Sequence, residues 1–163
     1  AQALQLAGTG LDFLLSQTMP AVTEAEGMAR AMIASGLPAV ISFCINRDGR
    51  VLDGTPLDEA IDLLDDRLEG APLGYAVNCS HPDFIKAEQM NPHALSRLIG
   101  IWANASAREH SELELIEETV ADDLDTWADA MVTLHKTHGV KILGGCCGTT
   151  DRHLRAICQR VCS

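Results

Sequence analysis

Three cysteines have positions that suit metal or thiol chemistry. Cys146 and Cys147 are adjacent and lie between glycines, in Gly144-Gly145-Cys146-Cys147-Gly148, after the mostly apolar run 140–143. Neighbouring residues on a strand point to opposite faces, so two adjacent thiols can serve one site only where the backbone leaves strand geometry. Glycines on both sides permit such a bend and let the backbone come close to a ligand.

The third cysteine, Cys79, follows a predicted strand at 73–78, just as the pair follows a predicted strand at 140–143. Barrels and open α/β sheets place their sites at the carboxyl ends of such strands, and alternate barrel strands share an interior layer. We therefore expect the three thiols to converge. Three thiolates suit Zn²⁺, and three protein ligands leave a fourth position open, as in catalytic zinc sites. A thiol substrate in that position would be held as a thiolate, ready to attack an electrophilic carbon.

Other interpretations of these residues stay open at this point. The cysteine pair could be buried small hydrophobic residues, a strained vicinal disulfide or a redox site, although no C-x-x-C motif occurs. His81 could close the metal site as a fourth ligand, which would make the site structural. The other cysteines are expected in the core or on helix faces, and Cys44, at a strand end, could also line the pocket. His153 is expected to be a surface or capping residue.

The elements that must position these residues form a βα pattern repeated five times. Strands are predicted at 11–17, 39–45, 73–78, 98–104 and 140–143, and helices at 1–7, 23–35, 55–69, 91–97, 122–138 and 151–161, with 105–120 as a loop. Thr23, Thr55 and Thr150 are predicted N-caps. Strands that are apolar on both faces and alternate with helices indicate a covered parallel sheet. It could be a doubly wound sheet or part of a (β/α)8 barrel, in which about 31 residues per unit would give 163 residues five units.

Composition limits the partners. The chain has a formal net charge of −11, which argues against nucleic acid or an anionic membrane surface as a partner. No apolar run approaches the roughly 18 residues of a membrane span, and no signal peptide is recognisable, so we expect a reducing cytoplasm. The chain begins at Ala1, without methionine, within a predicted helix. We expect a further segment to precede it.

With these residues in view, the sequence resembles the homocysteine S-methyltransferases, a family of zinc-dependent (β/α)8 barrels. The matching segments are DFLLSQTMP at 12–20, AVNC at 76–79, WAN at 102–104 and GGCCGTT at 144–150. The resemblance implies that Cys79, Cys146 and Cys147 bind zinc and that the sulfur of homocysteine takes the fourth place. It also implies a methyl donor such as S-methylmethionine, S-adenosylmethionine or a betaine, with methionine as the product.

Two departures from the family pattern bear on substrate binding. Gln17-Thr18 stands where the family commonly has Glu-Thr. A neutral Gln17 can still accept a hydrogen bond from the amino group of homocysteine, but the charge-assisted part is lost. Trp102-Ala103-Asn104 stands where the family often has Tyr-Pro-Asn. The predicted substrate contacts are Gln17, Asn78, Trp102 and Asn104.

The resemblance also implies that the first three βα units of the barrel are missing. The sequence therefore predicts that residues 1–163 are the last five units of a partial (β/α)8 barrel, which needs a missing N-terminal portion or a partner chain. A five-unit piece would expose two sheet edges. The alternative is a non-catalytic, zinc-stabilised α/β half-barrel that serves as an assembly module.

Overall fold

The computed structural model describes residues 2–108, 112 and 121–162, and most of the predicted loop 105–120 lies outside these ranges. The strands are β1 Leu14–Met19, β2 Ala39–Phe43, β3 Gly74–Ser80, β4 Leu98–Ala103 and β5 Ile142–Gly145. The helices are α1 Gln2–Ala7, α2 Val22–Ile33, α3 Leu57–Arg67, α4 Pro92–Arg97, α5 Leu124–Lys136 and α6 Asp151–Val161, with short 3₁₀ helices at Pro82–Phe84 and Ala87–Gln89.

The five strands form one sheet in the order β1-β2-β3-β4-β5, and all four strand pairs are parallel. A doubly wound sheet reverses its strand order at a switch point, and this order does not reverse. Because crossovers between parallel strands share one hand, such an order places the connecting helices on one side of the sheet. The prediction of five units of a barrel-type α/β fold is therefore confirmed, and the doubly wound alternative is wrong.

The two faces of the sheet differ in what covers them. Ile41, Val77 and Ile101 are fully buried and belong to a hydrophobic core that includes the helix residues Leu64 and Met131. Alternation places Ser42, Ala76, Gly100 and Ile142 side by side on the opposite face, where a Cβ on Gly100 would lie 3.2 Å from the Ile142 Cβ and 3.6 Å from the Ala76 Cβ. Small side chains thus dominate this inner face, and Ile142 is 42% exposed.

The sheet has two edges, β1 and β5, in the described part of the chain. An open groove of about 560 Å³ lies along β1, between α1 and α2, and its lining includes Leu4, Leu15 and Met28. Leu4 and Met28 are exposed there. The groove is therefore an apolar surface beside an edge strand, β1, which pairs with β2 on one side in the described part of the chain.

Local capping signals predicted some helix starts and missed others. Thr150 forms a capping box with His153 at the start of α6. The side chains of Asn91 and Asp123 cap α4 and α5, each accepting from the amide three residues further on. The predicted caps Thr23 and Thr55 are wrong, because α2 begins at Val22 and α3 begins after Pro56. The amide of Val22 instead donates to the carboxylate of Asp53 at 2.7 Å, so a side chain 31 residues away caps α2.

An ion pair between a buried carboxylate and a half-buried guanidinium joins α3 and α4 near the amino end of the sheet. The Asp65 carboxylate, 8% exposed, accepts from the Arg97 guanidinium at 2.7 and 3.0 Å. The hydroxyl of Tyr75 donates to the same carboxylate at 2.8 Å. This network fixes helices that position β3 and β4.

None of the helices in the described ranges has the length and apolar content of a membrane span.

Candidate metal centre

The sulfur atoms of Cys79, Cys146 and Cys147 meet at the carboxyl end of the sheet. Cys79 Sγ lies 3.0 Å from Cys146 Sγ, and Cys146 Sγ lies 3.9 Å from Cys147 Sγ. All three lie within 4.8 Å of one another. The thiols therefore converge, as their positions in the sequence predict.

The spacing of the sulfurs suits one zinc ion after a small adjustment. Four ligands at about 2.3 Å in a tetrahedron are about 3.8 Å apart. The 3.9 Å separation of Cys146 and Cys147 matches this value, whereas Cys79 and Cys146 would have to move apart by about 0.8 Å from 3.0 Å. Cys147 is exposed and the other two are half-buried, so the cluster is open to solvent on one side. Three soft thiolate ligands with one side open to solvent fit a zinc site that has a free coordination position.

The backbone turns sharply at Cys79. The sequence predicts that Cys79 lies just past its strand, but it is the penultimate residue of β3. Its φ is +53°, and φ at Thr18, at the end of β1, is +60°. The ladder registers shift at both places, as in β-bulges that redirect a side chain near a site. A left-handed conformation costs a non-glycine residue about 1–2 kcal/mol, so the surrounding contacts must hold it.

The glycines before the cysteine pair provide space rather than a bend. Gly144 and Gly145 belong to β5, and the positive φ in this turn falls on Gly148, at +76°. A Cβ on Gly144 would lie 2.5 Å from Cδ1 of Trp102, and a Cβ on Gly145 would lie 2.2 Å from Oγ1 of Thr149. The Trp102 ring therefore packs directly over the backbone of β5. Of the three glycines that were expected to permit a bend, Gly148 is the one with a positive φ.

The turn that carries the cysteine pair is closed by Thr149. Its hydroxyl donates to the carbonyl of Cys146 at 2.7 Å, and its amide donates to the same oxygen at 3.2 Å. The amide of Cys146 donates to the carbonyl of Ala103 at 2.7 Å. These bonds set the direction in which Cys146 leaves β5.

The four predicted substrate contacts lie around this rim in different environments. Gln17 is exposed on β1, and Trp102 is half-buried on β4. Asn78 and Asn104 are each 2% exposed. The side chain of Asn78 bonds to Thr18, Ser42 and Cys79, and that of Asn104 bonds to the backbone of Cys79 and Cys147. Their roles toward a substrate stay predictions.

Burial controls the protonation of two cysteines at the site. It raises the pKa of Cys79, with a further contribution from Cys146, while hydrogen bonds from Asn78 and Thr18 act in the opposite direction. Burial also raises the pKa of Cys44 to about 11. Cys44 lies beside the cluster, with its Sγ 3.9 Å from both the Cys79 carbonyl and the Ser80 hydroxyl. Burial thus favours the neutral thiol at both cysteines, whereas a cation bound at the cluster would favour the thiolate of Cys79.

The two histidines near the site, His81 and His153, make local contacts within the fold. His81 Nδ1 accepts from the amide of Asp83 at 3.3 Å, and its Nε2 lies 3.5 Å from the Asp122 carboxylate. Its burial lowers its pKa. Among the described residues, the group of potential ligand atoms within 4.8 Å contains the three cysteines and not His81. His153 is buried rather than on the surface, and it caps α6 with its ring perpendicular to Trp127 at 5.0 Å.

Comparison with known proteins identifies relatives over almost the whole chain. Selenocysteine Se-methyltransferase of Brassica oleracea var. italica is 29% identical over 168 residues, which cover 97% of this chain and 46% of that protein. Homocysteine S-methyltransferase of Escherichia coli (strain K12) is 28% identical over 95% of this chain and 49% of its own length. Betaine–homocysteine S-methyltransferase 1 of Bos taurus is 26% identical over a region that covers 93% of this chain and 40% of that protein.

The chain thus spans about half the length of the curated relatives that it matches. The family model described as homocysteine S-methyltransferase matches residues 1–161, which include all three cysteines of the cluster. The chain therefore belongs to the homocysteine S-methyltransferase family.

Proposed function

We propose that the protein carrying this chain transfers a methyl group to the thiol of homocysteine or a close analogue, with Zn²⁺ bound by Cys79, Cys146 and Cys147. The product with homocysteine is methionine. The observation that carries the proposal is the meeting of three cysteine sulfurs within 4.8 Å at the carboxyl edge of a parallel sheet, in a chain of this family.

The residues of the cluster explain how the site would work. When bound, zinc would lower the pKa of a substrate thiol, so no general base has to be placed on the protein. The exposed side of the cluster, at Cys147, leaves room for that thiol. The substrate sulfur would then form a bond to the methyl carbon while the bond between that carbon and the donor heteroatom would break. Gln17 and Trp102, on β1 and β4, are the side chains we assign to contact the amino acid.

We also propose that residues 1–163 are one part of a barrel that other βα units complete. The relatives are about twice as long as the region they share with this chain. β1 and β5 are edge strands in the described ranges, and the apolar groove beside β1 adjoins one of these edges. Either a further segment of the same protein or a partner chain would supply the remaining units and the donor pocket. The cytoplasmic location stays a prediction.

A second candidate is the non-catalytic assembly module, which the apolar groove along β1 favours. In that case zinc would stabilise the half-barrel, and no substrate thiol would enter its coordination shell. Small-molecule binding therefore separates the two candidates.

The first test is metal analysis of the intact protein, purified under reducing conditions. We expect one equivalent of zinc in the wild type, and its loss in Cys147→Ala. Cys158→Ala is the matched control, because Cys158 is exposed on α6, outside the cluster, and it should retain the metal. Absence of zinc from the wild type would contradict the metal site and favour thiol redox chemistry.

The second test adds homocysteine to the zinc-loaded protein. An open site should release about one proton per site as the thiol binds, measured by calorimetry in buffers with different ionisation enthalpies. Zinc binding without proton release would favour the assembly module. Methyl transfer is then assayed with S-methylmethionine, S-adenosylmethionine and betaine as donors, and methionine formation with at least one of them is expected.

A further inference from the structure

We propose that Asn78 and Asn104 are positioning residues that hold the three cysteines in a metal-binding arrangement. This inference rests on the metal site of the proposed function and assigns these two residues a role other than substrate contact. Both side chains are 2% exposed, and they lie at the carboxyl ends of neighbouring strands, β3 and β4.

Asn78 uses every hydrogen-bonding position of its side chain within the protein. Its Oδ1 accepts from the amide of Thr18 and from the hydroxyl of Ser42, both at 2.7 Å. Its Nδ2 donates to Oγ1 of Thr18 at 2.7 Å and to Sγ of Cys79 at 3.3 Å. A primary amide has two acceptor and two donor positions, so a substrate could bond to this group only by displacing one of these partners.

These bonds tie together the ends of three strands at the place where the backbone is strained. Thr18 is the penultimate residue of β1, Ser42 lies on β2 and Cys79 lies on β3. Thr18 and Cys79 are two of the three non-glycine residues with positive φ in the described ranges. The Asn78 amide contacts both of them. It therefore supports two left-handed residues and also donates directly to a ligand sulfur.

Asn104 connects the two segments that carry the cysteines. Its Nδ2 donates to the carbonyl of Cys79 at 2.9 Å, and its Oδ1 accepts from the amide of Cys147 at 3.2 Å. Cys79 and Cys146 are 67 residues apart in the sequence. The backbone of Asn104 is itself fixed, because its carbonyl accepts from Nε1 of Trp127 at 2.8 Å and its amide donates to the carbonyl of Ser80 at 3.0 Å.

The two asparagines thus fix both the orientation of Cys79 and its distance from the cysteine pair. Removing a hydrogen-bond partner of a metal ligand typically lowers metal affinity by about 10–100-fold. A group that only contacted the substrate would leave metal affinity unchanged. Zinc affinity therefore separates the two roles.

The test compares Asn78→Asp, Asn104→Ala and Ser42→Ala in the intact protein. Asn78→Asp keeps the acceptor for Thr18 and Ser42 but loses both donors, and it places a carboxylate beside the Cys79 sulfur. Asn104→Ala loses both bonds that join the cysteine segments. Ser42→Ala is the matched control, because it removes one bond to the same Oδ1 and leaves the donor to sulfur in place.

Zinc affinity is measured at one pH by competition with a chelator, and Co²⁺ loaded in place of zinc reports the ligand set through its sulfur charge-transfer absorption. We expect about 10–100-fold weaker zinc binding in Asn78→Asp and Asn104→Ala, with altered Co²⁺ bands, and a change below about threefold in Ser42→Ala. Homocysteine affinity of the zinc-saturated variants should change less than zinc affinity. If Asn78→Asp does not fold, Asn104→Asp, which keeps the acceptor for Cys147, carries the same expectation.

Unchanged or tighter zinc binding in both asparagine variants, with weaker homocysteine binding, would overturn the proposal and restore the substrate role. An equal loss of zinc affinity in Ser42→Ala would also overturn it, since the effect would then follow general stability. If the wild-type protein binds no zinc, the proposed function fails as well. Wild-type zinc binding with unaffected variants would refute the asparagine role alone.

Discussion

Replacing Gly145 with alanine should damage both the fold and the metal site, because this position has no room for a side chain. A Cβ there would lie 2.2 Å from Oγ1, 2.8 Å from Cβ and 3.2 Å from Cγ2 of Thr149. Thr149 would have to move, and its hydroxyl bond to the Cys146 carbonyl, at 2.7 Å, would break. The φ of Gly145 is not positive, so the effect would come from overlap rather than from backbone preference.

The size of the effect follows from two contributions. Overpacking typically costs about 1–3 kcal/mol, and loss of one intramolecular hydrogen bond costs about 0.5–1.5 kcal/mol. We therefore expect Gly145→Ala to lower the free energy of unfolding by about 2–4 kcal/mol. Gly27→Ala is the control, because a Cβ there in α2 would meet nothing within 4 Å beyond the nearby backbone of its own helix. That change should stabilise the protein by about 0.5–1 kcal/mol.

The assay is urea unfolding under reducing conditions with zinc chelated, combined with zinc affinity of the folded variants. A double-mutant cycle with Thr149→Ala identifies the cause, since that change removes the atom at 2.2 Å and leaves Cβ at 2.8 Å. Gly145→Ala should cost at least about 1 kcal/mol less in the Thr149→Ala background. Equal costs in the two backgrounds, or a cost near zero in the wild type, would refute the steric explanation.

Three further predictions concern stability, pH and substrate affinity. Asp65→Asn removes the charged acceptor of the Arg97 guanidinium and should lower the free energy of unfolding by about 2 kcal/mol, the usual range for a hydrogen bond to a charged group; a loss below about 1 kcal/mol in urea titrations would contradict this. Burial, with a smaller effect of Arg152, lowers the pKa of His153, so the unfolded chain, with a pKa of about 6.5, takes up the proton first as pH falls. Stability should therefore decline below about pH 6.5, by at most about 1.4 kcal/mol per pH unit from this group, and His153→Gln should reduce the decline between pH 7.5 and 5.5; an identical pH dependence would refute it. Gln17→Glu should tighten homocysteine binding about fivefold, since a charge-assisted bond is stronger by about 1 kcal/mol, and an unchanged Kd would show that Gln17 is not a contact.

Much of the fold was predictable because its signals are local. Thr150 and Asn91 lie next to the helices that they cap, and the apolar positions of α5, such as Trp127 and Met131, recur at helical spacing and are buried. The start of α2 was not predictable in this way. Its cap is Asp53, and only the folded loop brings that carboxylate to Val22.

In the candidate site, too, some features were predictable from the sequence and others were not. The convergence of the cysteines followed from strand ends in a parallel sheet, which topology fixes. The hydrogen bonds of Asn78 did not follow, since its partners Thr18 and Ser42 are 60 and 36 residues away. The packing of Trp102 against Gly144 did not follow either, because the ring that excludes a Cβ there belongs to the neighbouring strand.

The most direct measurement of the metal-site claim is X-ray absorption at the zinc edge, with and without selenohomocysteine. Cys79, Cys146 and Cys147 should give three sulfur neighbours at about 2.3 Å and one lighter ligand in the free protein. Addition of selenohomocysteine should replace the lighter ligand with one selenium neighbour. Four protein ligands in the free state, or no selenium neighbour after saturation, would contradict an open three-cysteine site.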